Sequence, residues 1–335
     1  MRIATYNVEW FNDLFDDKDQ LLRDGQWSGR YKVTRGGQAD ALGHVFKTID
    51  ADAIMIIEAP NTGKKRSVIR ALEAFSNVYA LRTTAAVSGF ANDTHQEIAL
   101  LYDPNALEVQ HSPYPGHGDI PRFDGVFEVD LDVDAVKDQV RFSKPPLELS
   151  AVTAAGFAFR MIGVHLKSKA PHGATSADDV KRIAIANRRK QLAQAIWLRA
   201  RVDQMLEQGH PLMVMGDLND GPGLDAFENL FGRSSVEIVL GGKGKGQLFD
   251  PHAARALAYR LGPVPTTARF WIQPERRYLQ ALLDYIMVST DLQETAPEWR
   301  IWHPMDDPDC WGDPVLCDAL MTASDHFPVT VDLPI

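Results

Sequence analysis

Pro211-Leu-Met-Val-Met-Gly-Asp-Leu-Asn219 is a short apolar run that opens into a carboxylate and an amide two residues apart. A run of this length, bounded by a glycine turn signal, reads as a strand buried on both faces. In extended geometry Asp217 and Asn219 point to the same side. The carboxylate can take a proton or bind a cation, and the amide can orient a water or a phosphoryl oxygen. Gly-Asp-x-Asn also suits an Asx-turn, so this stretch alone leaves both readings open.

The same arrangement, an apolar strand closing on polar residues, recurs along the chain. Residues 2–10 end in Asn7, Val8, Glu9 and Trp10, and Ala53-Ile-Met-Ile-Ile57 closes on Glu58. Residues 147–153 and 157–165 flank Ala-Ala-Gly as a hairpin that ends on His165, with Lys167 on the same face. Residues 282–288 carry Asp284 inside an apolar strand, and Ser324-Asp325-His326 precedes a strand over 326–333. Further strands are expected over 97–102 and 106–110. Helical spacing predicts helices from 41 to 49, over 64–76, over 177–208 and over 223–230. Strands and helices alternate while hairpins intrude, which predicts mixed sheets. Polar residues at successive strand ends then meet at one rim. Because these segments run from residue 3 to residue 328, one domain over 1–335 is expected.

Composition narrows the chemistry. Of 335 residues, 35 are basic and 45 acidic, a formal charge of −10. That disfavours a protein that coats nucleic acid, which binds by releasing counterions through Lys and Arg. A carboxylate-rich metal site remains compatible, with any nucleic-acid contact local. The two cysteines, Cys310 and Cys317, are too few for a disulfide scaffold and read as reduced thiols or one local disulfide. No apolar stretch approaches the roughly 20 residues of a membrane helix. A strand over residues 2–9 leaves no room for a signal peptide, so a cytoplasmic location without membrane or obligate protein partner is expected.

Burying Asp284 is costly unless it is paired. His326 is a suitable partner, and an imidazole moves protons near neutral pH. His165 and Lys167 can both donate to phosphate oxygens. Glu58 has no basic neighbour in sequence and suits a hard divalent cation.

Taken in order, Thr5-Tyr-Asn7-Val-Glu9-Trp10, Ile57-Glu58, Val164-His165-Leu-Lys167-Ser168, Gly216-Asp217-Leu-Asn219, Leu283-Asp284-Tyr285 and Ser324-Asp325-His326-Phe-Pro328 resemble the motifs of the endonuclease/exonuclease/phosphatase superfamily. The resemblance implies a DNase-I-like fold, a four-layered α/β sandwich of two packed mixed β-sheets flanked by helices. It implies Glu58 as principal ligand of Mg²⁺ or Mn²⁺, with Asn7 and Asp325 around the ion and Glu9 where some relatives keep a second metal-associated acid. Asp217 and Asn219 would orient the attacking water and the scissile phosphate. His326, paired with Asp284, would act in proton transfer, and His165, Asn219 and Lys167 would bind phosphoryl oxygens. The general base is left open between Asp217 and His326. The sequence departs from the family where Ile57 stands in place of the usual Gln before the metal-ligand glutamate.

The activity so implied is in-line attack of water on a phosphodiester, with nucleic acid, DNA foremost, as substrate. A phosphatase or a small-molecule or lipid phosphodiesterase is the alternative on this scaffold, and a non-catalytic binding module is the remote one. Lys181, Arg182, Arg188, Arg189, Lys190, Arg199 and Arg201 make the 177–208 helix locally basic, a candidate nucleic-acid face or a solvated one. Trp27, Arg30, Tyr31 and the loop over 241–246 are candidate rim elements. The acidic insertion around Cys310 and Cys317 is expected to be a loop that shapes access to the site.

Overall fold

The computed structural model describes residues 1–92, 94–131, 137–171, 173–222, 232–244, 246–258, 264–272 and 276–335. The chain begins with β1 (Arg2–Asn7), α1 (Arg35–Ile49), β2 (Ala53–Ala59), α2 (Val68–Tyr79), β3 (Ala85–Ser88) and β4 (Glu97–Tyr102). It continues through β5 (Leu107–His111), β6 (Phe127–Val129), β7 (Asp138–Val140), β8 (Leu147–Thr153), β9 (Ala158–His165), α3 (Ala177–Glu207) and β10 (Leu212–Asp217). After these come α4 (Ser235–Leu240), α5 (Pro251–Ala258), β11 (Ala268–Ile272), β12 (Arg277–Ala281) and β13 (Asp284–Val288). The last elements are α6 (Thr290–Gln293), β14 (Glu298–Ile301), α7 (Pro308–Gly312), α8 (Pro314–Ala323) and β15 (Val329–Asp332).

One sheet has the order β14-β15-β1-β2-β4-β3 and the other β13-β10-β9-β8-β5. Both are mixed. β1 runs parallel to β2 in the first and β9 parallel to β10 in the second, while the remaining neighbours in both are antiparallel.

The period-two alternation of side chains explains the layering. On β1 and β2, Ile3, Ala53, Met55 and Ile57 face the second sheet, meeting Met161, Met213, Met215 and Ile286. Their neighbours Ala4, Tyr6, Ile54 and Ile56 face the other way, onto Leu42 and Phe46 of α1, Phe75 of α2 and Leu320 of α8. On the second sheet, Ile162, Val164, Leu212 and Val214 pack outward against Leu192, Leu198 and Val202 of α3. The order helix, sheet, sheet, helix is the four-layered sandwich expected, and strands buried on both faces are why the sequence shows apolar runs rather than alternation. At Gly163 the sheets come so close that a Cβ would collide with Met55 Sδ and stand 2.9 Å from Ile98 Cγ2.

Several expectations are corrected. β1 stops at Asn7 because Trp10 adopts a left-handed conformation (φ 59°) and starts a 3-10 turn, Phe11–Leu14. The second helix begins at Val68, where the Ser67 side chain accepts from Arg70 N, and runs on to Tyr79. The helix expected over 223–230 lies outside the described residues. The acidic insertion is not a loop. Asp307 and Asp313 cap the N-termini of α7 and α8, each followed by a proline in the first helical turn, a pairing that starts helices. Cys310 and Cys317 are free thiols there.

The basic helix turns Arg188 and Arg201 inward and leaves Arg182 at the surface beside Asp179. Arg188 is buried against Asp220 at 2.8 Å and Arg201 against Glu148 at 3.4 Å. Arg189 pairs with Asp138 at 2.9 Å. Arg199 holds the carbonyls of Val239, Leu240 and Gly246, which ties the end of α4 and Gly246 to α3.

Candidate active site

Each sheet delivers its parallel pair of strands to the same rim. In the second, Asp217 stands beside His165 on one side and Asp284 on the other, in register across three strands. In the first, Asn7 ends β1, and Glu58 sits at a register shift between β2 and β4. Glu58 takes a left-handed φ of 64°, and Asn219 one of 51°. Asn tolerates such a conformation but Glu does not, and strained backbone of this kind clusters at functional sites, where the surroundings hold it. The bulge re-aims Glu58 out of the ladder. Gly216 is required, because at φ 132° a Cβ would collide with the Val164 carbonyl oxygen.

Asn7, Glu58, His165, Asp217 and Asn219 line one cleft of about 1040 Å³, together with Lys167, Asp325 and His326, and Asp284 reaches it through His326. Its hydrogen bonds are specific. Asn7 Nδ2 donates to Asp217 Oδ2 at 3.0 Å, Asn219 Nδ2 to the same oxygen at 3.0 Å, and Asn219 N to Asp217 Oδ1 at 2.7 Å. His326 Nδ1 lies 2.7 Å from Asp284 Oδ2, which also accepts from Thr267 Oγ1 at 2.8 Å. His165 Nε2 stands 3.6 Å from Asp217 Oδ2 and 3.9 Å from Glu58 Oε1.

Burial and crowding set the protonation states. Burial, reinforced by Asp284 and Glu58, pushes Asp217 up to about 7. Burial, reinforced by Glu9 and Glu58, pushes Asp325 up to about 7, and burial also raises Glu58. Burial opposes the charged form of His326, but Asp284, Asp217 and Asp325 outweigh it and hold its proton well above the ordinary range. His165 moves the other way, because burial and the nearby Lys144 ammonium disfavour its cation.

Glu58, Asp217 and Asp325 are thus crowded carboxylates that a cation would relieve. Asn7 Oδ1 is buried without a hydrogen-bond partner, an oxygen donor of the kind hard divalent ions take. The residues fit such an ion. Asp217, Asp284 and His326 also bring ligand atoms within 4.8 Å of one another. Asp284 Oδ2, however, is committed to His326 and Thr267, and a protonated imidazole cannot ligate, so the oxygens around Glu58 and Asn7 suit a hard cation better.

Glu9 lines the cleft, with both its oxygens engaged: Trp10 Nε1 donates to Oε1 at 2.9 Å, and Arg30 pairs with Oε2. Trp27 and Tyr31 are exposed, and neither they nor the described residues of the 241–246 loop line the cleft. Three contributors lay outside the sequence motifs. Gln96 donates to Glu58 Oε2 and accepts from Lys144 Nζ, which stands 3.1 Å from His165 Nδ1. Thr267 anchors Asp284. Gln96 and Lys144 are polar residues just before β4 and β8, the same strand-flanking signal read elsewhere but at the opposite ends of their strands.

A family model described as Endonuclease/Exonuclease/phosphatase family matches residues 4–326. Comparison with curated proteins gives no match. Among solved structures, truncated TDP2 from Caenorhabditis elegans is 13% identical, with 98% of this chain and 96% of that one covered at a TM-score of 0.50. The 3' phosphatase NExo from Neisseria, bound to product DNA hairpin, is 14% identical over 100% of both chains, also at 0.50. At such identities the likeness shows the fold. No helix among the described residues is long and apolar enough to cross a membrane.

Proposed function

This chain belongs to the Endonuclease/Exonuclease/phosphatase family, and from that premise we propose that it is a phosphodiesterase of nucleic acid, DNA foremost, dependent on Mg²⁺ or Mn²⁺. The observation that carries the reading is the opposed pair in one cleft: a carboxyl raised to about 7 at Asp217 and an imidazolium held by Asp284 at His326. A carboxyl that titrates near neutrality and an imidazole that keeps its proton can serve as base and acid at one pH. We read residues 1–335 as one catalytic unit, since its site draws on Asn7 near one end and His326 near the other.

Glu58, Asn7 Oδ1 and Asp325 would hold the cation. When bound, it neutralises charge on the phosphoryl oxygens and eases deprotonation of water. Asp217 accepts the proton of the attacking water, and Asn219 fixes the direction of attack. His165 is neutral, and because Lys144 donates to its Nδ1, its Nε2 carries the hydrogen and donates to a non-bridging oxygen. His326 gives its Nε2 proton to the leaving oxygen while Asp284 retains the Nδ1–H. A phosphomonoesterase on the same residues is the second reading, favoured by the activity given for the Neisseria relative.

The test is cleavage of supercoiled plasmid with Mg²⁺ or Mn²⁺, with chelator and Asp217→Asn as controls. Metal-dependent nicking that disappears in the variant is expected. Nicking that persists in both controls overturns the assignment, and release of phosphate from 3'-phosphorylated ends without nicking favours the second reading.

A further inference from the structure

The cleft carries two large aromatics that its chemistry does not use. Trp10 and Trp271 both line it, and they remain 46% and 49% exposed. Trp10 is tied to Glu9 through its indole N–H. Trp271 belongs to the β11–β12 hairpin, where it faces Tyr278 across the ladder with ring centroids 5.0 Å apart, edge to face. Tyr278 is 49% exposed as well, and the Arg269 guanidinium lies 3.8 Å from its ring centroid. The hairpin's alternate residue, Phe270, has its ring 5.4 Å from that of His326. A cluster of guanidinium, phenol and indole therefore stands on one face of a hairpin whose other face, through Phe270, touches the imidazole.

Charge argues about what this cluster receives. Grip on a duplex comes mainly from cations laid along its phosphates. Here the chain is −10, Arg188, Arg199 and Arg201 of α3 are spent on internal carboxylates and carbonyls, and Lys169 in the cleft is bound to Asp220 at 2.5 Å. Stacking on aromatic rings needs no such array, but it needs a base whose face is open, and in a duplex both faces are covered.

We propose that Trp271, backed by Tyr278 and Arg269, is a stacking platform that seats an unpaired base next to the scissile phosphate, so that single-stranded nucleic acid is preferred over duplex. The proposal rests on the phosphodiesterase reading for its catalytic consequence, but the platform itself can be read by binding alone. In EDTA, titration with oligo(dT) is expected to quench indole fluorescence in the wild type. Trp271→Ala should weaken binding by about tenfold or more and Trp271→Phe should retain most of it. With metal, a single-stranded oligonucleotide should be cleaved with kcat/KM about tenfold or more above the same sequence as a blunt duplex, and Trp271→Ala should act on KM rather than kcat. Tyr278→Ala, with unchanged circular dichroism, guards against misfolding and should show a smaller loss in the same direction. Oligo(dT) affinity unchanged in Trp271→Ala, or equal cleavage of duplex and single strand, overturns the platform. Binding that follows this pattern without hydrolysis of any phosphodiester supports the platform and sinks the phosphodiesterase reading instead.

Discussion

At the scale of single residues, the cleft stores charge it cannot comfortably hold alone. Asp217 and Asp325 rise from 3.8 to about 7. The unfolded chain releases these protons near pH 4 and the folded one near pH 7, so the fold binds more protons than the unfolded state between those values. Stability of the metal-free protein carried by these groups therefore falls as pH rises from about 4 to 7 and is level above that window. A divalent cation competes with the same protons. Mn²⁺ should raise Tm markedly at pH 8 and little at pH 5, and an equal rise at both would contradict the account. Asp217→Ala should lower kcat by about two to three orders of magnitude, about 3–4 kcal/mol, and near-normal turnover would refute its role. Lys144→Met should release the tautomer of His165, visible as a change in its ring ¹⁵N shifts, with kcat reduced about tenfold. The motif residues were legible because each closes an apolar run. Lys144, Gln96 and Thr267 were not, since their partners lie 21, 38 and 17 positions away and only the fold brings them close.

Elements hold Glu58 and Asn219 in left-handed conformations, and helix α3 steadies the second. Buried Gln191 donates to the carbonyls of Lys167, Leu218 and Asn219 at 2.9, 3.3 and 2.9 Å. Its Oε1 accepts from Arg188, which in turn grips Asp220. Gln191→Leu leaves buried carbonyls without donors, at about 1–3 kcal/mol each at most. A lower denaturation midpoint and a loss of kcat are expected; full activity would mean that Asn219 needs no such clamp. Most strands and long helices could be read from apolar spacing. The bulge at Glu58 could not, because nothing in Ile57-Glu58-Ala59 marks a register shift. The charges on α3 were visible but their direction was not: Asp138, Asp220 and Glu148 became partners only through tertiary packing.

For the whole molecule, the spacing between the two sheets sets the distance between the halves of the site. Gly163 fixes the closest approach, and Gly163→Ala presses on Met55 and Ile98. The cost is about 1–3 kcal/mol for overpacking, and Met55→Ala should recover part of it. A Gly163→Ala protein as stable as the wild type would show that the sheets have slack. The layer order was legible from runs buried on both faces, whereas the closeness at Gly163 was not, since a lone glycine in a strand has several explanations. The seam between the sheets has a consequence for time as well as space. Asn7 and Glu58 ride on one sheet, His165, Asp217 and Asp284 on the other, and His326 reaches Asp284 from the segment that leads into β15. The site is complete only when the two sheets have docked. After dilution from urea, far-ultraviolet dichroism should therefore return ahead of hydrolysis, and the onset of turnover would serve as a clock for the last event of assembly.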